Sequence, residues 1–186
     1  DWLYLPPDSY LGTQAKAVPV PFMQDGNPAR SQAAFQTEHG RIGVYVCYDG
    51  IFTDIPRRVA TLGAEVMLVP VMDVRRWPRQ ELWQHADMAP FRSIELRRST
   101  VRAASSGVSQ IIDPAGRVRA QRTREAGPGT IAATVPLCYQ PSVFVLGGYL
   151  VASLVAWLYL GVVAALTIEQ WGKGAIRLMR RRSVAL

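Results

Sequence analysis

The side chains with the best case for chemistry are one cysteine and one lysine. Cys47 closes the apolar run of residues 41–47 (RIGVYVC) and is followed by Tyr48, Asp49 and Gly50. Nucleophiles and ligands of open α/β layers gather at strand ends of this kind, and a helix N-terminus nearby favours the reactive thiolate. A cysteine at the end of a buried strand is also a common inert core residue, so position alone leaves both readings open. Cys138, just ahead of a long apolar stretch, reads as structural or as a point of lipid attachment. Two cysteines make no disulfide framework, and no Cys/His spacing fits zinc, so neither a metal nor another cofactor is expected.

Lys16 stands out by contrast. Residues 1–141 carry 15 arginines and this single lysine; the other lysine, Lys173, lies in the basic C-terminal tail. Where Arg is the default cation, a lone Lys offers a compact charge with an adjustable pKa. Ser9, Ser105, Ser106, Ser109, His39 and His85 supply the parts of a hydrolytic triad on paper, but no Gly-x-Ser-x-Gly turn supports one. His85, in the helical run Trp83-Gln84-His85, reads as a packing or hydrogen-bonding residue rather than a base. No glycine motif for cradling phosphate is present. The arginines of residues 92–102 read as partners of carboxylates and helix C-termini.

These side chains must be positioned by an alternation of strands and helices. Residues 41–47 and 65–71 (EVMLVPV) are expected as buried strands. Between them a helix should start at Thr53 or Asp54, with Pro56 in its first turn, run to Leu62 and stop at Gly63. A second helix is expected from Gln80 to about Arg98, with Leu82, Ala86, Ala89, Phe91 and Ile94 inward and a kink or division at Pro90. Residues 108–112 and 117–121 flank Asp113-Pro114-Ala115-Gly116 as a hairpin, and residues 130–135 suggest a last strand. The first 40 residues read as a long loop. The pattern is that of an α/β layered domain.

From Ser142 to Ile168 no residue is charged, a run of 27 against the roughly 20 that cross a ~30 Å hydrocarbon core. A transmembrane helix is expected over 142–168, with Trp171 at the interface. Lys173, Arg177 and Arg180, Arg181 and Arg182 follow, which makes residues 169–186 a basic cytoplasmic tail and puts residues 1–141 outside the membrane. The net charge is +7, yet residues 142–186 hold five basic and one acidic side chain while residues 1–141 hold 16 and 13. With over half the excess at the membrane flank and no basic stripe in the body, nucleic acid is not an expected partner. The chain opens on Asp1 with no signal peptide, so it is read as a processed product or a piece of a longer protein.

Taken together, Gly40-Arg41-Ile42-Gly43-Val44-Tyr45-Val46-Cys47-Tyr48-Asp49 resembles the G-R-[IL]-G-V-x-[IV]-C-Y-E strand of the nitrilase (carbon–nitrogen hydrolase) superfamily, most nearly its apolipoprotein N-acyltransferase family. Trp83 to Ala89 resembles that family's W-Q-H-x-x-M-A, and Arg92-Ser93-Ile94-Glu95 its R-A-I-E. Lys16 with Val20-Pro21-Phe22 keeps the spacing of K-x-x-L-V-P-F. The resemblance implies the C-terminal part of an α-β-β-α layered domain followed by the last transmembrane helix, in the cytoplasmic (inner) membrane. It also implies Cys47 as nucleophile and Lys16 as the cation at the oxyanion, with Tyr48, Asp49 and Gln24 as secondary site positions. The implied reaction moves a fatty acyl group from phospholipid, through a Cys thioester, to the N-terminal amine of a lipoprotein. The chain departs from the pattern in several places. No match to the general-base Glu segment precedes Lys16, Gln24 and Asp49 stand where the family has Glu, and Leu96 replaces an Asn. A non-catalytic module at the membrane and a membrane-tethered amidase are therefore the alternatives.

Overall fold

The computed structural model of the chain describes residues 2–5, 9–21, 23 and 26–183. It divides into two units, Asp1–Gly148 and Tyr149–Leu186. The first is built on a mixed sheet of six strands in the order β3-β4-β5-β6-β7-β8: β3 Ala34–Thr37, β4 Gly40–Val44, β5 Val66–Val71, β6 Ser99–Ala104, β7 Ser109–Ile112 and β8 Val118–Arg122. Two further strands, β1 Trp2–Leu5 and β2 Ser9–Thr13, pair antiparallel as a separate ribbon.

The middle of the sheet is parallel, and that follows from two crossover helices. Helix α1 (Asp54–Thr61) joins β4 to β5, and α2 (Arg79–Leu96) joins β5 to β6. Pairs of parallel strands need such crossovers because a tight turn cannot reverse the chain twice. The sequence V-M-L-V-P-V of β5 alternates: Met67, Val69 and Val71 are buried while Val66, Leu68 and Pro70 are partly covered. The buried set joins Tyr45, Ile55, Val59, Ala60, Ala64 and Leu96 in one core. Gly43 permits this packing, since a Cβ there would lie 2.3 Å from Val59 Cγ1 and 2.6 Å from the Ala64 Cβ.

Both crossover helices, the hairpin across Asp113–Gly116 and the two buried strands stand where the sequence puts them, with four differences. The chain leaves β4 at Val44, so Cys47 lies past the strand rather than on it. The first 40 residues contain β1, β2 and β3, leaving only residues 14–33 as loop. Strand β6 was not foreseen: α2 ends without a glycine, on Arg97 at φ 52°, with Arg98 N–H donating to the Ser93 carbonyl in a Schellman-type closure. Residues 130–135 form no strand. They are flanked by Gly127, Pro128, Gly129 and Pro136, which weaken a ladder.

Within α2, Pro90 does not end the helix. Leu82, Ala86 and Ala89 are buried as expected, but Phe91 and Ile94 are exposed, and Arg92, Ser93 and Leu96 are buried instead. Ser93 Oγ donates to Thr100 Oγ1 at 2.8 Å in the interior, and Ile94 lies over the turn at Gly116. Ser93 thus takes an inward position because β6 offers it a partner, while Arg92 pairs with Glu95 one turn along α2 at 2.9 Å.

The apolar C-terminal run is not one helix. Helix α3 (Val143–Gly147) stops at Gly148, and Val145 is buried in the core of the first unit. Helix α4 (Leu150–Ser183) carries the stretch Leu150–Trp171, long and apolar enough to cross a membrane.

Arg98 fastens the segment leading to α3. Its guanidinium is buried and donates to the carbonyls of Ala64 (2.5 Å), Leu96 (3.3 Å), Arg97 (3.0 Å), Gln140 (2.7 Å) and Tyr139 (3.0 Å). Five carbonyls from three chain segments converge on a single planar fork. Arg98→Met removes every donor and is expected to destabilise the first unit by about 3–5 kcal/mol, and Arg98→Lys is expected to recover less than half, lacking the fork. Urea denaturation followed by tryptophan fluorescence measures both.

Candidate functional site

Cys47 opens a 3₁₀ turn, Cys47–Ile51, just beyond the end of β4. It adopts φ 51°, a left-handed conformation that costs a non-glycine residue about 1–2 kcal/mol. Something must hold it there. Asp49 does so: fully buried, its Oδ2 accepts the Val46 N–H at 3.1 Å, closing the turn from the far side of Cys47. The Cys47 side chain is itself nearly buried, with Sγ 3.9 Å from the Met72 carbonyl at the end of β5.

The same carboxylate reaches a second segment. Asp49 Oδ1 accepts from Ala17 N at 3.0 Å and Val18 N at 2.8 Å, and Oδ2 lies 3.0 Å from Ala17 N. Those are the two amides immediately after Lys16. The loop bearing Lys16 is also fastened at its neck: buried Gln14 accepts from Ala33 N at 2.7 Å, and Ala29 N donates to the Lys16 carbonyl at 2.8 Å. Lys16 Nζ stands 5.9 Å from the centre of the Tyr48 ring, within cation–π range.

Cys47, Lys16 and Tyr48 therefore border one cleft of about 1120 Å³. Its walls are largely apolar, with Val46, Ile51, Val71, Met72, Trp77 and Met88 among them. That volume exceeds the roughly 300–1,000 Å³ usual for small-ligand pockets. A thiol and an ammonium at the rim of an apolar space suit a carbonyl carried on a long hydrophobic group.

His85, on the wall of the cleft, belongs to a buried polar triad. Asp73 follows β5, His85 comes from α2 and Arg102 from β6. His85 Nδ1 is 2.8 Å from Asp73 Oδ1, and Arg102 Nη2 is 3.2 Å from Asp73 Oδ2 and 3.3 Å from the same imidazole nitrogen. Burial alone pushes the Asp73 carboxyl up; the His85 hydrogen bond and the Arg102 charge outweigh it and bring the group below its ordinary value. The backbone is shaped around this carboxylate, because a Cβ at Gly107 would lie 1.7 Å from Asp73 Oδ2. Ser106 Oγ donates to the Asp73 carbonyl.

Of the residues singled out from sequence, the structure brings Cys47, Lys16 and Tyr48 to the cleft, while Asp49 faces away from it and ties their two segments together. Gln24 lies outside the described residues. Cys138 is away from the cleft; its N–H donates to the Glu65 carbonyl at 3.2 Å. His85 hydrogen-bonds as the sequence suggested. Sequence reasoning missed its partner Asp73, which follows the buried strand β5.

A carbon-nitrogen hydrolase family model matches residues 5–139. The apolipoprotein N-acyltransferase of Geobacter metallireducens is 33% identical over 124 residues, 64% of this chain and 24% of that protein. Apolipoprotein N-acyltransferase 1 of Treponema pallidum is 32% identical over 103 residues, 55% of this chain and 19% of its own length. The chain thus spans about a quarter or less of these curated relatives. Among solved structures, a carbon-nitrogen hydrolase from Helicobacter pylori G27 superimposes with a TM-score of 0.56 at 15% identity, covering 62% of this chain and 49% of that one. A nitrilase-superfamily member from Saccharomyces cerevisiae gives 0.54 at 19%, covering 62% and 45%. These likenesses show a nitrilase-type α/β fold.

Two outcomes follow from the carboxylates. Asp49→Ala is expected to free the Lys16 loop, raising amide exchange across residues 15–20 at least tenfold while the β5–β6 core stays protected; hydrogen exchange read by mass spectrometry checks it. Asp73 has a folded pKa below its unfolded one, so its stabilisation is present above the ordinary value of 3.8 and is lost as pH falls through the folded value. Asp73→Asn should therefore be less stable at neutral pH by about 3 kcal/mol, with Arg102 left unpaired, and should lose less further stability than the native chain on acidification. Urea midpoints between pH 3 and pH 7 test this.

Proposed function

The chain belongs to the carbon–nitrogen hydrolase family, and from that premise we propose that it is the thiol-bearing part of a membrane N-acyltransferase of the apolipoprotein type. The observation that carries this reading is the single apolar cleft bordered by both Cys47 and Lys16. Cys47 thiolate attacks the ester carbonyl of a phospholipid, and the Lys16 ammonium stabilises the oxyanion that forms. Collapse expels the lysolipid alcohol and leaves a Cys47 thioester with its chain along the apolar wall. The N-terminal amine of a lipoprotein then attacks the thioester, giving the amide and restoring the thiol. Tyr48 shares in placing Lys16, and Asp49 is a positioning residue, since it contacts backbone and not the cleft.

Helix α4 supports a membrane setting. The stretch Leu150–Trp171 has the length and composition of a span, and its C-terminal flank carries Lys173, Arg177, Arg180, Arg181 and Arg182. The positive-inside rule supports a cytoplasmic flank and an extracytoplasmic first unit, the side on which both proposed substrates are found. We take the span as Leu150–Trp171 rather than 142–168 because α3 packs with α1 and α2.

Incubation of the detergent-solubilised chain with phosphatidylethanolamine vesicles, read by intact-mass spectrometry, tests the reading. A hydroxylamine-labile fatty-acyl mass is expected on the native chain and absent from Cys47→Ala. Lys16→Ala should slow its appearance by about 10²–10³-fold. No adduct on a chain shown to be folded would sink the acyltransferase reading in favour of a non-catalytic module.

A further inference from the structure

The cleft has a charged corner that the reaction proposed above does not use. Between β5 and α2 the chain makes a tight turn, in which Trp77 N–H donates to the Val74 carbonyl at 2.9 Å. The two ends of that turn, Val74 and Trp77, line the cleft, whereas the two residues at its tip, Arg75 and Arg76, are exposed. Neither of these guanidiniums has a hydrogen bond or ion pair among the described residues. Turn geometry does not call for arginine at a tip, since Gly, Asn, Asp, Ser and Pro are the residues a tight turn selects.

The turn is held in place from several directions. Asp73, just ahead of it, is buried with its carboxylate on His85 and Arg102, and its carbonyl accepts from Ser106 Oγ. The Arg75 carbonyl accepts from Arg124 Nη1 at 2.8 Å. The Trp77 ring meets the His85 ring edge-on, 6.4 Å between centres. The backbone that carries both tip arginines is therefore fixed at the lip of the apolar wall. Arg124 and Arg79, the first residue of α2, bring two more guanidiniums to the same corner. The carboxylates there are Glu125, 3.9 Å from Arg79, and Glu81 on the cleft rim. Arg79 is thereby matched, and Arg75 and Arg76 are left for a ligand.

A ligand that fits an apolar cleft with a cationic lip carries an apolar chain and an anionic head. Guanidinium forks match phosphate oxygens in bidentate fashion, and the aliphatic stems of arginine extend an apolar wall. We infer that Arg75 and Arg76 form a subsite for the phosphate of a glycerophospholipid whose acyl chain lies in the cleft. The inference rests on the reading of the cleft as an acyl site and adds a selectivity to it. A donor with a phosphodiester is held at both ends. One whose head carries net negative charge is held more tightly than a zwitterionic one, whose ammonium meets the same guanidiniums.

Alkylation of Cys47 by iodoacetamide, followed at peptide level, reports when the cleft is filled. The full chain in dodecyl maltoside is titrated with phosphatidylglycerol bearing two ether-linked oleyl chains, which has no ester carbonyl to acylate the thiol. A parallel titration uses the phosphate-free glycerol diether with the same chains. In the native chain the phosphate-bearing lipid is expected to protect Cys47 at a mole fraction about 10–30-fold lower than the phosphate-free one. Arg75→Gln/Arg76→Gln should close that gap by weakening phosphatidylglycerol alone, and its unchanged protection by the phosphate-free lipid shows the cleft intact. Arg30→Gln/Arg58→Gln removes the same charge from a separate groove and should keep the gap. Equal midpoints for the two lipids in the native chain, or an unshifted gap in Arg75→Gln/Arg76→Gln, overturn the phosphate subsite and leave the acyl cleft standing. An equal loss in Arg30→Gln/Arg58→Gln overturns it as well, the effect then being one of net charge. So does displacement of the lipid by an equal concentration of free glycerophosphate, which would assign the arginines to a soluble phosphate. Protection of Cys47 by neither lipid removes the acyl cleft and the subsite with it.

Discussion

One carboxylate joins the two segments that carry the candidate chemistry. Asp49 accepts the amides of Ala17 and Val18, which follow Lys16, and the amide of Val46, which precedes Cys47. Neither functional side chain sits on a regular element: Cys47 is in a strained turn beyond β4, and Lys16 is in a loop spanning residues 14–33. Ordering such a loop costs roughly 1–2 kcal/mol per residue, so its geometry must be imposed from outside. A buried carboxylate surrounded by backbone N–H groups does this well, because charge-assisted hydrogen bonds are short and strong and because leaving the carboxylate unmatched would be costly. The same contacts offset the unfavourable φ of Cys47. Residue 49 is thus constrained by length as well as charge, and the aspartate here reaches both segments at 2.8–3.1 Å.

The rest of the unit uses buried ions in the same way. Asp73 and Arg102 tie the loop after β5 to β6, and Arg98 gathers the chain ends around Ala64, Leu96 and Tyr139. The helices and strands have an ordinary apolar core, but the irregular segments between them are placed by charged groups with saturated partners. Core packing is non-directional and tolerates sliding. Hydrogen bonds to a buried charge are directional, and they fix a loop relative to a strand.

That division explains what could be read from the sequence. The β4–α1–β5 unit was legible because apolar runs, a proline in the first helical turn and a terminal glycine are local signals. Cys47, Lys16 and Tyr48 were legible through spacing within a motif. Strand β6 was hidden because Ser99, Thr100 and Arg102 are buried polar residues whose partners, the Pro136 carbonyl, Ser93 and Asp73, lie outside the strand. Phe91 and Ile94 were placed inside on hydrophobicity, whereas the inward face of α2 carries Arg92 and Ser93. The left-handed turn at Cys47 left no trace, since such turns are usually announced by glycine.

The placement of polar groups also bears on what an acylated thiol would experience. Cys47 borders both an open apolar cleft and a crevice of about 10 Å³, which His85 and Arg102 also line. An acyl chain lying along Val71, Met72 and Trp77 would cover the thioester from the solvent side. Water reaching the carbonyl would then have to come through a space that holds about one molecule. Hydrolysis of the thioester would compete with the proposed aminolysis, which requires that it be suppressed. In the proposed reaction the chain of the acyl group itself supplies that protection, so a long acyl donor favours transfer over hydrolysis more than a short one does. Selectivity between the two outcomes then lies in the depth of the apolar wall, and the arrangement of thiol and ammonium can be common to both.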